Sequence, residues 1–317
     1  MAAPVTVIDS PRVPGALCLL TVHAHPDDEA SKGASTVAKY HAEGVRTVLV
    51  CCTGGELGDV QNGSLREPGQ PFHGMTPEQE RVKLVEVRPL ELRRSAEVIG
   101  FDRVDMLGYR DSGMLGDAAN DDPASFHRAP IDEAVGRLVA IIRDERPDVI
   151  TAYGEDHAGY PHPDHVRVHE IAVLAWERSG DPAWYPEAGE PHQPRKLYYT
   201  VWSKARILAV HEALLDRRGK SVFTDEWLAR TEPLDPVTTR IDVTDHIGAR
   251  TAALLAHATQ VDPREGFWFA LDDAEMAEVY PWEDWSLARS LVGTTRAPGE
   301  LEHDLFDGLR SNVEAQR

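Results

Sequence analysis

Two short clusters of histidine and aspartate carry the side chains best suited to chemistry: His23-Ala24-His25-Pro26-Asp27-Asp28-Glu29 and His162-Pro163-Asp164-His165. Imidazole nitrogens and carboxylate oxygens are the ligands of hydrolytic metal centres. Three such protein ligands, with a fourth position left for water, mark a catalytic rather than a structural zinc site. His25, Asp28 and His165 supply that set without a thiolate. His25 stands three residues before Asp28, so the two converge where a strand turns into a helix, while Asp27 projects elsewhere and is free for a different task. A nitrogen and carboxylate set also accepts iron or cobalt in place of zinc. Two plainer readings compete. Proline followed by acids is a common helix start, because the macrodipole favours negative charge in a first turn. His165 and His169, four apart on a helix, could chelate a metal by themselves, but the glutamate of a His-Glu-x-x-His arrangement is missing.

The elements that must position these clusters are legible in the apolar pattern. Residues 16–22 form an apolar run that ends at the first cluster, and residues 148–153 form a second run shortly before the other. Each strand is followed by a helix, over 31–43 with Gly44 as its stop and over 166–176 with Pro163 near its start. In a parallel α/β sheet the carboxyl ends of the strands open onto one crevice, so residues 25 and 165 can meet there. The alternation continues with strands at 45–52, 104–107 and 196–202, and with helices at 77–99, 131–145 and 204–217. The helix over 77–99 is expected to break near Pro89. Glycine- and proline-rich residues 61–77 read as a long loop over the site, 118–130 as another, and 179–194 as a peripheral stretch. The expected fold is a Rossmann-like α/β domain, a mostly parallel sheet flanked by helices, with a smaller C-terminal extension. Its parts are a core at 15–202, an extension at 203–292 packed on the core, and a loosely attached polar tail at 293–317.

The 317 residues hold 33 basic and 53 acidic side chains, a formal charge of -20 that argues against nucleic-acid and anionic-membrane partners. A small-molecule substrate fits better. Cys18, Cys51 and Cys52 all fall in expected strands and read as small buried hydrophobes, consistent with a reducing cytoplasm. The first 15 residues lack a charged leader and apolar core, and no stretch reaches membrane-spanning length, so a cytoplasmic location is expected. Nothing in the sequence sets the oligomeric state.

The strand-end His-Pro-Asp-Asp-Glu and the later His-Pro-Asp-His resemble the LmbE-like (PIG-L) zinc deacetylases. Further matching segments are Thr53-Gly54-Gly55-Glu56, Asp111-Ser112-Gly113, Gly159-Tyr160-Pro161, Lys196-Leu197-Tyr198-Tyr199 and Ala256-His257-Ala258-Thr259-Gln260-Val261-Asp262-Pro263. Pro161 and the last segment place the resemblance nearest the branch that hydrolyses mycothiol S-conjugates. One departure stands out. The loop from Tyr153 to Tyr160 is one residue longer than the family pattern, and Gly154 stands where that pattern has aspartate.

Zinc held by His25, Asp28 and His165 would lower the pKa of its water to about 7 and polarise an amide carbonyl, making water the nucleophile. Asp27 is the candidate general base, a role the resemblance also gives it. His162 is expected to stabilise the oxyanion and protonate the leaving amine, with Asp164 as its carboxylate partner. The resemblance further implies that Tyr160 helps polarise the substrate carbonyl, that Arg88 lies near the inositol or sugar end, and that Asp111 meets sugar hydroxyls. Glu56 joins them as a candidate substrate contact. Trp268, Trp282 and Trp285 are candidates to line an apolar pocket or to anchor the core. The implied activity is hydrolysis of the amide bond of a pseudo-disaccharide thiol conjugate, giving a mercapturic acid and glucosaminyl-inositol. The alternatives are an N-acetyl-sugar deacetylase with the same machinery and a non-catalytic sugar- or metal-binding protein.

Overall fold

The computed structural model describes residues 5–155, 160–229, 234–293, 296–297 and 299–310. Among them eight strands form one sheet: β1 (Val5–Asp9), β2 (Cys18–His23), β3 (Arg46–Thr53), β4 (Arg103–Tyr109), β5 (Val149–Tyr153), β6 (Lys196–Val201), β7 (Thr239–Asp242) and β8 (Trp282–Ser290), in the order β1-β4-β3-β2-β5-β6-β8-β7. The five from β4 through β3, β2 and β5 to β6 run parallel. The sheet is thus mostly parallel, with β1, β8 and β7 joined antiparallel at its two margins. Every residue of β2 and β3 is buried, as for central strands covered on both faces, which is why they read as unbroken apolar runs. Alternate residues serve opposite layers. Leu20 and Val22 pack with one cluster and Leu19 with the other. β3 lies on one side of β2 and β5 on the other, so the chain reverses direction across the sheet between β2 and β5. A crevice opens at that switch point. The two histidine clusters follow those two strands.

A separate turn, α1 (Asp28–Ser31), is parted by Lys32 and Gly33 from the helix expected from residue 31, which begins only at Ala34. That helix, α2 (Ala34–Ala42), and α3 (Pro77–Ile99), α4 (Ile131–Glu145), α5 (Pro163–Arg178) and α6 (Lys204–Arg218) fall in the expected stretches. α5 begins at Pro163, three residues before the expected start at 166. A proline at the first helical position loses only an N–H that the helix leaves unbonded anyway. α3 runs unbroken through Pro89, against expectation. The carbonyl that Pro89 deprives of a donor belongs to Val85, which is 55 % exposed and can be hydrated, while Leu84, Arg88 and Leu92 bury the opposite side. A capping box fixes the start of α3, with Gln79 N donating to Thr76 Oγ1 and Thr76 N to Gln79 Oε1.

The polar tail expected to be loosely attached is not loose over its described part. Leu305 and Phe306 are fully buried, and Glu302 accepts hydrogen bonds from Lys196, Tyr198 and Thr239. A few apolar residues and one paired acid anchor a segment whose average composition is polar. The three cysteines are buried and unpaired, and no helix among the described residues is long and apolar enough to cross a membrane.

Candidate metal centre and catalytic site

β2 ends at His23 and turns through Pro26 into α1, while α5 opens with His162 as its cap. The two turns face each other across the crevice. His25 Nδ1 lies 3.5 Å from Asp28 Oδ2, and His165 Nε2 lies 3.4 Å from the same oxygen. The three residues are buried and each offers a ligand atom within 4.8 Å of the other two. His165 Nε2 is buried with no hydrogen bond, and its ring stacks on Tyr153 at 4.5 Å. An unbonded nitrogen beside a carboxylate oxygen and a second imidazole is what a metal ligand set requires.

A second grouping shares His25: Asp111, His162 and Asp164 also bring atoms within 4.8 Å of it and of one another. Its oxygens are already engaged. Asp164 accepts from Ser112 N at 3.0 Å and from Ser112 Oγ, and Asp111 accepts from Gly113 N at 2.8 Å. Asp164 Oδ2 is also 3.1 Å from His25 Nε2. With His25 Nδ1 as ligand, its Nε2–H donates to Asp164, the carboxylate–histidine arrangement that fixes a ligand's tautomer. Asp164 therefore orients His25 rather than His162. His162 Nδ1 instead accepts the Asp164 backbone N–H at 3.2 Å, which leaves Nε2 to carry the proton. His169, the competing ligand, has its Nδ1 at Tyr153 O, 3.1 Å away, and belongs to neither grouping.

Asp27 has φ 112° and ψ −23°, a conformation that a non-glycine residue holds at a cost of about 1–3 kcal/mol. The twist separates neighbouring carboxylates. Asp28 Oδ2 faces the imidazoles, and Asp27 Oδ2 accepts from Arg88 Nη2 at 3.0 Å with its side chain 31 % exposed. Arg88, expected at the substrate's sugar end, is instead buried, donating to Gly55 O, Pro26 O and Asp27. A Cβ on Gly55, whose φ is +62°, would sit 2.2 Å from Arg88 Nη1, so glycine is required for that approach. Asp111 is buried near His25, with Asp111 Oδ1 3.7 Å from Nε2, and Glu56 Oε1 accepts the Asp111 N–H at 3.0 Å. Tyr160 is 50 % exposed at the mouth, its ring 4.9 Å from that of His165.

Burial governs the electrostatics, and charge corrects it locally. Burial would lower His25, but hydrogen bonds to Asp164 and Asp28 push it up to about 10. Burial pulls His165 down to about 3. Asp28 is held well below the usual carboxylate range because Lys32 and His165 outweigh its desolvation. Burial raises Asp27 despite Arg88, and burial together with His25 lowers His162. Tyr160 is pushed up to about 12 by burial and by the aspartates around it.

Several residues of the site escaped the sequence reading. Lys32 Nζ binds Asp28 Oδ1 and sits 5.6 Å from the centre of the Tyr153 ring. Its spacing of four from Asp28 on a helix start was an available signal. Ser112 and Tyr153, whose hydroxyl accepts the Ala24 N–H at 3.0 Å, lie within segments that match the family pattern, but nothing in those segments pointed to their hydroxyls. Trp285 is buried against Gly33 in the core, and Trp268 packs against the same core cluster while also meeting Trp202 and Phe267. Asp156 to Gly159 of the lengthened loop lie outside the described residues. At Gly154 a Cβ would lie 1.9 Å from Asp235 Oδ2, which accepts the Glu155 N–H, so no side chain fits there while Asp235 holds its place.

Residues 20–176 match the family described as GlcNAc-PI de-N-acetylase (PIG-L). The mycothiol S-conjugate amidase of Streptomyces coelicolor is 42 % identical over 94 % of this chain and 99 % of its own. The 1D-myo-inositol 2-acetamido-2-deoxy-alpha-D-glucopyranoside deacetylase of Nocardiopsis dassonvillei is 40 % identical over 92 % of this chain and all of its own. Among solved structures, the N,N'-diacetylchitobiose deacetylase of Pyrococcus horikoshii superposes with a TM-score of 0.58 at 19 % identity, covering 86 % of this chain and 84 % of that one. A 4-carboxy-2-hydroxymuconate hydratase of Pseudomonas putida superposes at 0.55 and 19 % identity, over 89 % of this chain and all of that one. The fold thus accommodates more than one chemistry, and the site has to decide.

Proposed function

We propose, for a chain that belongs to the GlcNAc-PI de-N-acetylase (PIG-L) family and is by that membership an amide hydrolase, that it is a zinc-dependent enzyme cleaving the glucosamine amide bond of mycothiol S-conjugates. The products are a mercapturic acid and glucosaminyl-inositol, and the reaction belongs to thiol detoxification in the cytoplasm. The observation that carries the catalytic part is the convergence of His25, Asp28 and His165, with Asp27 beside them but outside the set. Those three residues would hold the metal, which when bound supplies a Lewis acid for the amide carbonyl and for water; iron or cobalt would serve the same donors.

The chain's own groups do the rest. Asp27, anchored to Arg88 through Oδ2, presents Oδ1 to take a proton from the attacking water. His162 donates a hydrogen bond from Nε2 to the developing oxyanion; with Nδ1 occupied by the Asp164 N–H it is neutral and keeps that proton, so the proton Asp27 took from water passes to the leaving amine. Asp164 keeps His25 in its ligand tautomer, and Tyr160 at the mouth donates its hydroxyl to the substrate carbonyl. Asp111 and Glu56, linked to each other, offer acceptors to sugar hydroxyls. Arg88 serves the substrate only through Asp27.

Choice of substrate is supported by the 42 % identity to an amidase of that name, and the 40 % identity to a deacetylase keeps a second reading alive: removal of acetate from N-acetylglucosaminyl-inositol. Comparing kcat/KM for the bimane conjugate of mycothiol with that for N-acetylglucosaminyl-inositol separates the two. The amidase reading expects the conjugate to be preferred, and a preference for the acetylated pseudo-disaccharide would replace it with the deacetylase.

A further inference from the structure

Beneath Asp27 lies a buried polar cluster to which the chemistry above gives no task. Glu29 is 1 % exposed, and its carboxylate is held by three donors. The Asp27 N–H reaches Oε2 at 2.9 Å, while Ser95 Oγ and His257 Nε2 each lie 2.5 Å from Oε1. His257 is fully buried, and its second nitrogen makes no hydrogen bond, so its bonding is directed at Glu29. Burying an acid and an imidazole together carries a desolvation penalty that an apolar pair of the same shape avoids. Packing alone does not explain these residue types.

What the pair secures is the Asp27 amide. Asp27 stands at φ 112°, and such a conformation persists only where its surroundings over-determine it. Arg88 fixes the carboxylate of Asp27 and Glu29 fixes its N–H. His257 comes from the end of the helix Ile247–Ala256, a segment pinned again where Glu91 of α3 accepts the N–H and hydroxyl of Thr259. A part of the chain far from the histidine clusters in sequence is thereby docked against the strained turn.

We infer that Glu29 and His257 are positioning residues: His257 fixes the Glu29 carboxylate, which holds the Asp27 amide and so aims the Asp27 carboxylate at the space shared with His25, Asp28 and His165. Neither touches substrate. The inference rests on the reading of Asp27 as proton acceptor.

A double-mutant cycle on the full-length, zinc-loaded protein tests it, using whichever of the bimane conjugate of mycothiol and N-acetylglucosaminyl-inositol is the better substrate. The four proteins are wild type, His257→Leu, Asp27→Asn and the double variant, with zinc content measured for each. His257→Leu is expected to lower kcat on the order of 10²-fold, the usual penalty for misplacing a reacting group, with KM and zinc content little changed. His257→Gln, which restores a donor towards Glu29, should recover most of the loss. In the Asp27→Asn background His257→Leu should change kcat little, because the group it positions is already disabled. Equal effects in both backgrounds, or normal kcat in His257→Leu, would overturn the inference. Should His257→Leu not fold, Glu29→Gln takes its place in the same cycle. Wild-type turnover by Asp27→Asn would remove the reading of Asp27 and this inference with it, whereas an impaired Asp27→Asn beside an unimpaired His257→Leu removes the inference alone.

Discussion

Asp27 and Asp28 are adjacent and chemically identical, and only their surroundings give them different work. Asp28 is buried between two imidazoles and Lys32, while Asp27, at positive φ, is partly exposed and anchored by one oxygen to Arg88. Asp27→Asn should therefore keep the metal and lose turnover by about a hundredfold or more, the scale of lost general-base assistance. Asp28→Asn should lose metal, since a neutral amide replaces an anionic ligand. Metal content and turnover of both purified variants check this, and near-normal turnover by Asp27→Asn would pass the proton to another group. Glu29, the obvious substitute in sequence, is already bonded to Asp27 N, Ser95 and His257. Asp164→Asn should weaken zinc binding by about 10- to 100-fold, the usual penalty for losing the carboxylate behind a ligand histidine. Unchanged affinity would return Asp164 to the role of partner for His162. The ligand types and their strand-end setting were legible because they lie in short contiguous motifs. Lys32 could have been found from its spacing of four from Asp28, whereas the contacts of Ser112 and the inward turn of Arg88 are tertiary and spacing does not encode them.

At the scale of elements, the parallel strands announced themselves as unbroken apolar runs because helices cover both faces of the sheet. The marginal strands β1, β7 and β8 were not legible. β1 is largely exposed, β7 is four residues long, and β8 carries Glu283, Asp284 and Ser286 at buried positions. The strands' amino ends hold a different asset from their carboxyl ends. Glu145, closing α4, accepts from Arg46 Nε at 2.6 Å and from Arg12 and Arg103 at 2.7 Å each. Burial would raise its pKa, but Arg46 foremost, then Arg12 and Arg103, holds it below the ordinary 4.5. The folded chain then binds fewer protons than the unfolded one around that value, so this stabilisation is present above it and fades as pH falls through the lower folded value. Glu145→Gln should destabilise the protein at neutral pH by roughly 3–5 kcal/mol, the penalty for breaking a buried pair. Denaturant unfolding of both proteins from about pH 7 to about pH 3 should show that difference shrinking with acid. A difference independent of pH would mean that Glu145 contributes shape rather than charge.

Across the whole molecule, stability and chemistry occupy opposite ends of one sheet, with the arginine–glutamate network below and the histidine clusters above at the switch point between β2 and β5. C-terminal residues complete one of the two layers: Phe306 and Leu305 fill its core, and Glu302 neutralises the buried Lys196. His257 reaches the turn that carries Asp27. Side chains on either side of this crevice, residues 25 and 28 from one turn and 165 from the other, are proposed to make a single metal site. Zinc titration of the metal-free protein against a competing chelator tests it most directly, for wild type and for His25→Ala, His165→Ala and His169→Ala. The expected result is one tightly held zinc per chain in wild type and in His169→Ala, lost in both His25→Ala and His165→Ala. Retention of wild-type affinity by either of the latter two, or its loss in His169→Ala alone, would contradict the shared site.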